Sequence, residues 1–89
     1  MVKKIAVLVR DRQGEALRMS LGLTLLDDVV DVYVLGRKLD AEEHALHLQT
    51  VKDMEMKLYT DCRENPDMEF LATEEVARRL TGYDHVLPY

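Results

Sequence analysis

Two continuous apolar runs constrain the fold of this chain more than any other feature of its sequence. They are Ile5–Val9 and Val29–Leu35, both rich in β-branched residues, and such runs are typical of strands that are covered on both faces. A helical pattern, Glu15–Leu26, separates them. A strand, a helix and a second strand in this order predict a parallel sheet with right-handed crossovers, with the first strand at its centre.

Three further strands are predicted downstream, at Met56–Thr60, Met68–Leu71 and His85–Leu87. Pro88 confines the last of them to a sheet edge or to its own final residue, because proline donates no ladder hydrogen bond. We therefore predict one domain over residues 1–89 with a three-layer α/β/α fold. Its sheet has four to five strands and is mainly parallel, and an antiparallel direction is allowed only for the fourth strand.

Composition and charge narrow the class of protein. A chain of 89 residues with 47% hydrophobic and 33% charged residues suits one compact soluble domain that gains from burying further surface in an oligomer. A net charge of -5 offers no basic surface to nucleic acid or to anionic membranes, so neither is an expected partner. The N-terminal apolar run is too short for a signal peptide or a membrane span, and one cysteine forms no internal disulfide, so the expected location is the cytoplasm.

The helix Glu15–Leu26 is apolar on two sides. Its apolar residues form two stripes, Leu17, Leu21 and Leu25 on one and Ala16, Met19, Leu23 and Leu26 on the other. One sheet covers one stripe, so a neighbouring helix or another subunit covers the second. We favour the subunit and expect a homodimer or larger assembly, with itself or with a related subunit.

Two more helices are predicted from their start signals. Asp40 and Glu43 form a capping box for a helix that runs to about Lys52, and Thr73 caps a helix that Gly82 ends. The second helix has the apolar face Ala41, Ala45, Leu48 and Val51, while the third turns Val76, Ala77 and Leu80 inward and Arg78 and Arg79 to water.

Two histidines, His44 and His47, lie on the flank of the second helix. A spacing of three places both imidazoles on one side of a helix, which suits metal binding. Zinc needs at least a third protein ligand, and no candidate is evident in the sequence. We therefore expect solvent-exposed or interface histidines and no metal site.

The segment Arg10–Gly14 lies between the first strand and the first helix. Asp11 is a candidate helix cap, and Gly14 allows backbone to come close to whatever lies above it. Arg10 and Arg12 beside the free N–H groups of a helix start suit a small anion. The alternative is two solvated arginines, and a single glycine falls short of a dinucleotide-binding motif, so no cofactor is expected.

The polar loop that follows the third strand carries the only cysteine of the chain, Cys62. Ligands of open α/β sheets gather beyond the carboxyl ends of the strands, so a thiol at this point is presented to a substrate. Asp61 disfavours a thiolate and Arg63 favours it, so the neighbouring charges nearly cancel. The alternative is an inert cysteine. The adjoining Asn65-Pro66-Asp67 is read as a turn.

Segments along nearly the whole chain resemble the DsrE/DsrF/DsrH-like family of small sulfur-relay proteins, which includes the Tus sulfur-transfer subunits. The matching segments are KKIAVLVR followed by EALRMSLGLTLLDDVVDVYVLG, then MKLYTDC, then FLATEEVARRLTGYDHVLPY. The resemblance implies a parallel sheet of about five strands in a Rossmann-like or flavodoxin-like arrangement and assembly into homo- or hetero-oligomers. It also implies a loop cysteine that carries a persulfide, and Cys62 matches that position.

Three hypotheses about function follow. The first is a sulfur carrier, in which Cys62 takes sulfur from a donor protein and passes it to an acceptor protein. The second is a non-catalytic oligomeric subunit or small-ligand module in which the cysteine is incidental. The third is an anion or nucleotide binder that uses the loop with Arg10, Arg12 and Gly14, to which Arg63 adds a further cation at the same edge of the sheet.

Overall fold

The computed structural model describes residues 3–24, 29–40, 42–65 and 68–89, and they form a sheet with helices on both faces. The elements are β1 (Lys4–Val9), α1 (Gln13–Thr24), β2 (Val29–Val34), α2 (Ala45–Asp53), β3 (Leu58–Thr60), β4 (Glu69–Phe70), α3 (Thr73–Leu80) and β5 (His85–Pro88). The strand order is β4-β3-β2-β1-β5, and every pair is parallel. The predicted α/β fold is confirmed, and the fourth strand is parallel as well.

The first strand lies inside the sheet, as the sequence predicts. Ile5 pairs with Val30 of β2 on one side and with His85 of β5 on the other. The predicted edge position of the last strand is also confirmed, because β5 is the end of the strand order. With two strand neighbours and helices above and below, β1 has no free edge, which explains its unbroken apolar sequence.

Two apolar cores lie on opposite faces of the sheet, because successive side chains of a strand point to opposite sides. The larger core contains Val7, Val9, Leu17, Val32, Val34 and Val51 among its buried residues, and it packs under α1 and α2. The smaller core contains Ala6, Tyr33, Tyr59, Leu71 and Val76 and packs under α3. This division makes the fold three layers deep.

Helix α1 packs against the sheet and against α2. Ala16 and Leu17 are fully buried, and Leu21 and Leu23 pack against the larger core. Of the predicted second stripe, Met19 is 42% exposed. The neighbouring helix that the sequence allows for is α2, which packs beside α1 within the same chain. Leu25 and Leu26 lie outside the described residues. Association with another subunit stays a prediction.

Helix α2 begins later than the capping box predicts. The Asp40 carboxylate accepts a hydrogen bond from the Glu43 amide at 3.2 Å, but residues 42–44 form a turn and the helix starts at Ala45. The bond therefore closes a turn ahead of the helix. Ala45 is exposed, whereas Val51 is buried, and Ala41 lies outside the described residues.

Helix α3 also departs from its prediction in three details. Thr73 is its first residue rather than its cap, and the N-cap is Ala72, which has no side-chain bond to the helix. Ala77 is exposed and does not face inward. Arg79 is half-buried, because its guanidinium lies 5.2 Å from the centre of the Tyr59 ring and 3.1 Å from the Glu75 carboxylate. These two contacts hold the Arg79 side chain against the protein, although the helical period alone predicts that it faces water.

Within the described ranges, none of the helices combines the length and the apolar character that a membrane span needs.

Candidate functional site at the carboxyl edge of the sheet

Cys62 lies just beyond the carboxyl end of β3 and is half-buried. Its amide donates a hydrogen bond to the Thr60 hydroxyl at 3.0 Å. Its carbonyl oxygen accepts one from the Asn65 amide at 3.2 Å. Both bonds are local, so the backbone on either side of the thiol is held in one tight turn.

Asn65 joins this turn to the loop after β2 and is only 5% exposed. Its side-chain oxygen accepts a hydrogen bond from the Leu39 amide at 2.7 Å. Its side-chain nitrogen donates to the Thr60 hydroxyl at 2.9 Å and to the Arg37 carbonyl at 3.4 Å. The Thr60 hydroxyl in turn donates to the Val34 carbonyl at 2.8 Å. Buried polar side chains therefore hold the cysteine loop against its neighbour.

The charged residues beside Cys62 are engaged elsewhere. The Asp61 carboxylate accepts a hydrogen bond from the Gly36 amide at 2.9 Å, and Gly36 has a φ of 81°, a conformation that favours glycine. The Arg63 guanidinium lies 4.2 Å from the centre of the Phe70 ring. Asp61 thus fixes the neighbouring turn, and Arg63 covers an aromatic ring of β4.

A cleft of about 680 Å³ lies between α1, the loop after β2 and α2. Its charged lining consists of four cations, Arg12, Arg18, Arg37 and Lys38, and four carboxylates, Asp11, Glu15, Asp40 and Glu43. These formal charges cancel. Arg12 lies 3.4 Å from Glu15 and Arg37 lies 2.7 Å from Asp11, so two of the cations are already paired and the cleft has no excess positive charge. Asp11 is therefore an ion-pair partner of Arg37.

The structure brings only some of the predicted ligand residues together. Arg12 and Gly14 line the cleft, whereas Arg10, Arg63 and Cys62 do not. A Cβ atom added at Gly14 would lie 3.1 Å from Cε1 of His44, which is closer than most such contacts. Gly14 therefore allows α1 to approach the start of α2, and the group above it is an imidazole.

Both histidines line the same cleft, His44 from the turn before α2 and His47 from α2 itself. The His44 side chain is 13% exposed and lies 3.9 Å from the Glu43 carboxylate. Across the described ranges, no group of three or more His, Cys, Asp or Glu side chains is arranged to hold a metal ion.

A second polar cluster lies near the opposite edge of the sheet, and the sequence analysis missed it. The Tyr83 hydroxyl donates to the Asp31 carboxylate at 2.6 Å. Because Tyr83 donates its proton there, the Tyr33 hydroxyl, 2.8 Å away, donates to Tyr83. The signal in the sequence was Asp31 itself, which is 6% exposed in an otherwise apolar strand and, as a buried carboxylate, requires a donor.

This cluster predicts a loss of stability at alkaline pH. Burial, followed by the hydrogen bond to Asp31, raises the pKa of Tyr83, and burial raises the pKa of Tyr33. The pKa values of both phenols in the folded protein exceed the unfolded value of about 10. The stabilisation that these phenols give the folded state is therefore complete below that pH and declines as the pH rises above it. Urea unfolding of the wild type between about pH 8 and 11 should show this decline.

Tyr83→Phe should reduce the alkaline decline, whereas Tyr89→Phe, which removes a phenol outside the cluster, should leave it unchanged. Equal declines in the wild type and in Tyr83→Phe would show that the cluster does not carry the effect.

Comparisons with known proteins add nothing to this geometry. A scan of family models found no match, and searches of curated proteins and of solved structures found no significant similarity to the chain.

Proposed function

We propose that this chain is a sulfur carrier that holds a persulfide on Cys62. The supporting observation is the position of that thiol, which is half-buried in a braced loop at the carboxyl edge of a parallel sheet. This edge is where open α/β sheets present reactive groups. A braced loop favours transfer because it holds the sulfur at one place, while partial exposure leaves it within reach of another protein. The family resemblance of the sequence implies the same chemistry.

Loading is a displacement at sulfur. The Cys62 thiolate attacks the outer sulfur of a donor persulfide, a new S–S bond forms to Cys62, and the S–S bond of the donor breaks. The donor leaves as a thiolate, and the proton of its persulfide stays on the transferred sulfur. In unloading, an acceptor thiolate attacks that sulfur and Cys62 leaves as a thiolate. Sulfur moves without a net change in oxidation level, so the cycle needs no oxidant or reductant.

The charges around the thiol support a contribution of a partner protein to its activation. Asp61 and Glu64 carry negative charge next to Cys62 in the chain, and the cation between them, Arg63, lies over the Phe70 ring. Since a thiolate needs net positive potential, a donor or acceptor protein with a basic surface at this loop would favour transfer. Such a surface would also suit a chain of net charge -5.

The experiment is intact-mass spectrometry after incubation with glutathione persulfide. The wild type should gain the mass of one sulfur atom, and Cys62→Ser should gain none while it keeps the circular dichroism spectrum of the wild type. Absence of the added sulfur on a folded wild-type chain would overturn the proposal, and the non-catalytic binding subunit would then replace it.

A second arm measures thiol reactivity with iodoacetamide at neutral pH. Alkylation should be faster in the folded protein than in a peptide spanning residues 56–65. Asp61→Asn removes one negative charge but keeps the oxygen that accepts from the Gly36 amide, so this variant should react faster still. A folded protein no more reactive than the peptide would remove the physical basis of carriage.

A further inference from the structure

A groove of about 480 Å³ lies at the amino edge of the sheet, between the starts of β1, β2 and β3 and the end of α3. Its charged lining has four cations, Lys4, Lys57, Arg78 and Arg79, and one carboxylate, Asp31. The excess is three positive charges, in a chain whose net charge is -5. The cleft at the carboxyl edge has no such excess, so of these two openings the groove is the one whose lining attracts anions.

The two lysines supply the available charge. Among the residues that the structure describes, neither the Lys4 nor the Lys57 ammonium has an ion-pair partner. The Lys4 ammonium lies 4.8 Å from the centre of the Tyr83 ring. The nearby Asp84 carboxylate accepts from the Lys4 backbone amide at 2.8 Å. An anion in the groove would meet lysine donors that have no competing carboxylate bound to them.

The arginines contribute less. Both pair with Glu75, Arg78 at 3.3 Å and Arg79 at 3.1 Å, so this carboxylate offsets part of their charge. They also lie in the last turn of α3, where a cation compensates the negative end of the helix dipole. The dominant attraction for a ligand anion therefore comes from Lys4 and Lys57.

The end of α3 would repel an anion if its carbonyl groups were free. Three of them are occupied. The Thr81 hydroxyl donates to the Arg78 carbonyl at 2.7 Å, and the Gly82 amide donates to the Arg79 carbonyl at 3.0 Å. The Tyr83 amide donates to the Leu80 carbonyl at 3.3 Å. These bonds satisfy the helix end within the chain, so the lysines decide the local sign of the potential.

The groove also contains an acceptor. One oxygen of Asp31 binds the Tyr83 hydroxyl, and the other has no hydrogen-bond partner in the described part of the chain. Asp31 is 6% exposed and lines the groove, so a ligand in the groove can approach this carboxylate. Its second oxygen is free to accept a hydrogen bond from a ligand.

We infer that this groove binds a small phosphorylated molecule that also carries an ammonium group. The phosphate meets Lys4 and Lys57, and the ammonium donates to the open oxygen of Asp31. A simple polyanion satisfies the lysines but also meets the Asp31 charge, which is why the ligand class is a zwitterionic phosphate. This site is independent of Cys62, which lies at the other edge of the sheet.

The test is an amide NMR titration with O-phosphoethanolamine and, separately, with inorganic phosphate. Shifts should concentrate at Lys4, Lys57 and the segment 81–83, and O-phosphoethanolamine should bind more tightly than phosphate. Lys57→Gln should weaken its binding about tenfold, as expected for the loss of one charge-assisted contact. The matched control is Arg10→Gln, the same change of charge outside this groove, which should leave the affinity unchanged.

Asp31→Asn tests the acceptor. Asparagine keeps an oxygen for the Tyr83 hydroxyl but loses the negative charge, so the preference for O-phosphoethanolamine over phosphate should disappear while phosphate binding remains. The inference is overturned by any of three results: no shifts in the groove, equal effects of Lys57→Gln and Arg10→Gln, or equal wild-type affinity for the two ligands. Sulfur loading on Cys62 is measured separately, so the two proposals fail independently.

Discussion

Tyr33→Ala is expected to lower the free energy of unfolding by about 3–5 kcal/mol, the range for removing a large aromatic side chain from a core. Tyr33 is fully buried in the smaller core, the one under α3. Its ring lies 4.9 Å from that of Tyr59 and 5.9 Å from that of Tyr83. Alanine would leave a cavity that these rings cannot fill without losing their own contacts. Urea unfolding followed by circular dichroism measures the change.

Tyr33→Phe is the matched control, because it keeps the ring and removes only the hydroxyl that donates to Tyr83. A loss of about 1 kcal/mol is expected for that hydrogen bond. If the phenylalanine and alanine variants were equally unstable, the polar chain to Asp31, and not ring packing, would dominate this core.

Asn65→Ala is expected to lower the free energy of unfolding by about 2–4 kcal/mol, because it leaves buried groups without hydrogen-bond partners. The Leu39 amide loses its acceptor, and the Thr60 hydroxyl and the Arg37 carbonyl lose a donor. Leu39 and Arg37 lie on the loop after β2, and Thr60 ends β3. The same variant should therefore loosen the turn that holds Cys62 and move its alkylation rate towards that of the peptide spanning residues 56–65. Urea unfolding and the iodoacetamide rate are the two measurements.

Gln49→Ala is the control for removing an amide side chain. Gln49 is exposed on α2, and its side chain donates to Asp53 at 2.9 Å. A change within about 0.5 kcal/mol is expected at such a surface position. Similar losses for Gln49→Ala and Asn65→Ala would show that burial of the Asn65 network contributes little.

The strands with two covered faces were the most predictable part of the fold. The first two apolar runs match β1 and β2 to within one residue at each end, because burial on both faces leaves an unbroken apolar pattern. The third apolar run predicts a strand from Met56, but the strand starts at Leu58. The Met56 amide still bonds the Val51 carbonyl at 3.2 Å, after Glu55 with a positive φ of 57°. The hydrogen bonds that close α2 thus reach Met56, the first residue of the apolar run, which composition does not reveal.

The site was less predictable because its contacts join residues far apart in the chain. The position of Cys62 after a buried strand could be predicted from the apolar run that precedes it. The sequence predicts a turn at Asn65-Pro66-Asp67, of which Pro66 and Asp67 lie outside the described residues. The bonds of Asn65 to Leu39 and Arg37 depend on β3 lying beside β2. Tyr83 likewise donates a hydrogen bond to Asp31, which lies 52 positions earlier in the chain. A single sequence marks a buried carboxylate as needing a donor but does not say which segment supplies it.

The place of β5 beside β1 has a consequence for the order in which the chain folds. β1 pairs with β2 across only one helix, whereas the Lys4 amide and the Asp84 carboxylate that meet at the other side of β1 are separated by 80 positions. Closing so long a loop carries an entropic penalty that is not repaid until both ends are in place. We therefore expect β1, α1 and β2 to form the nucleus and β5 to dock last. Since Tyr83 lies just before β5, the amino-edge groove would be completed only in that final step.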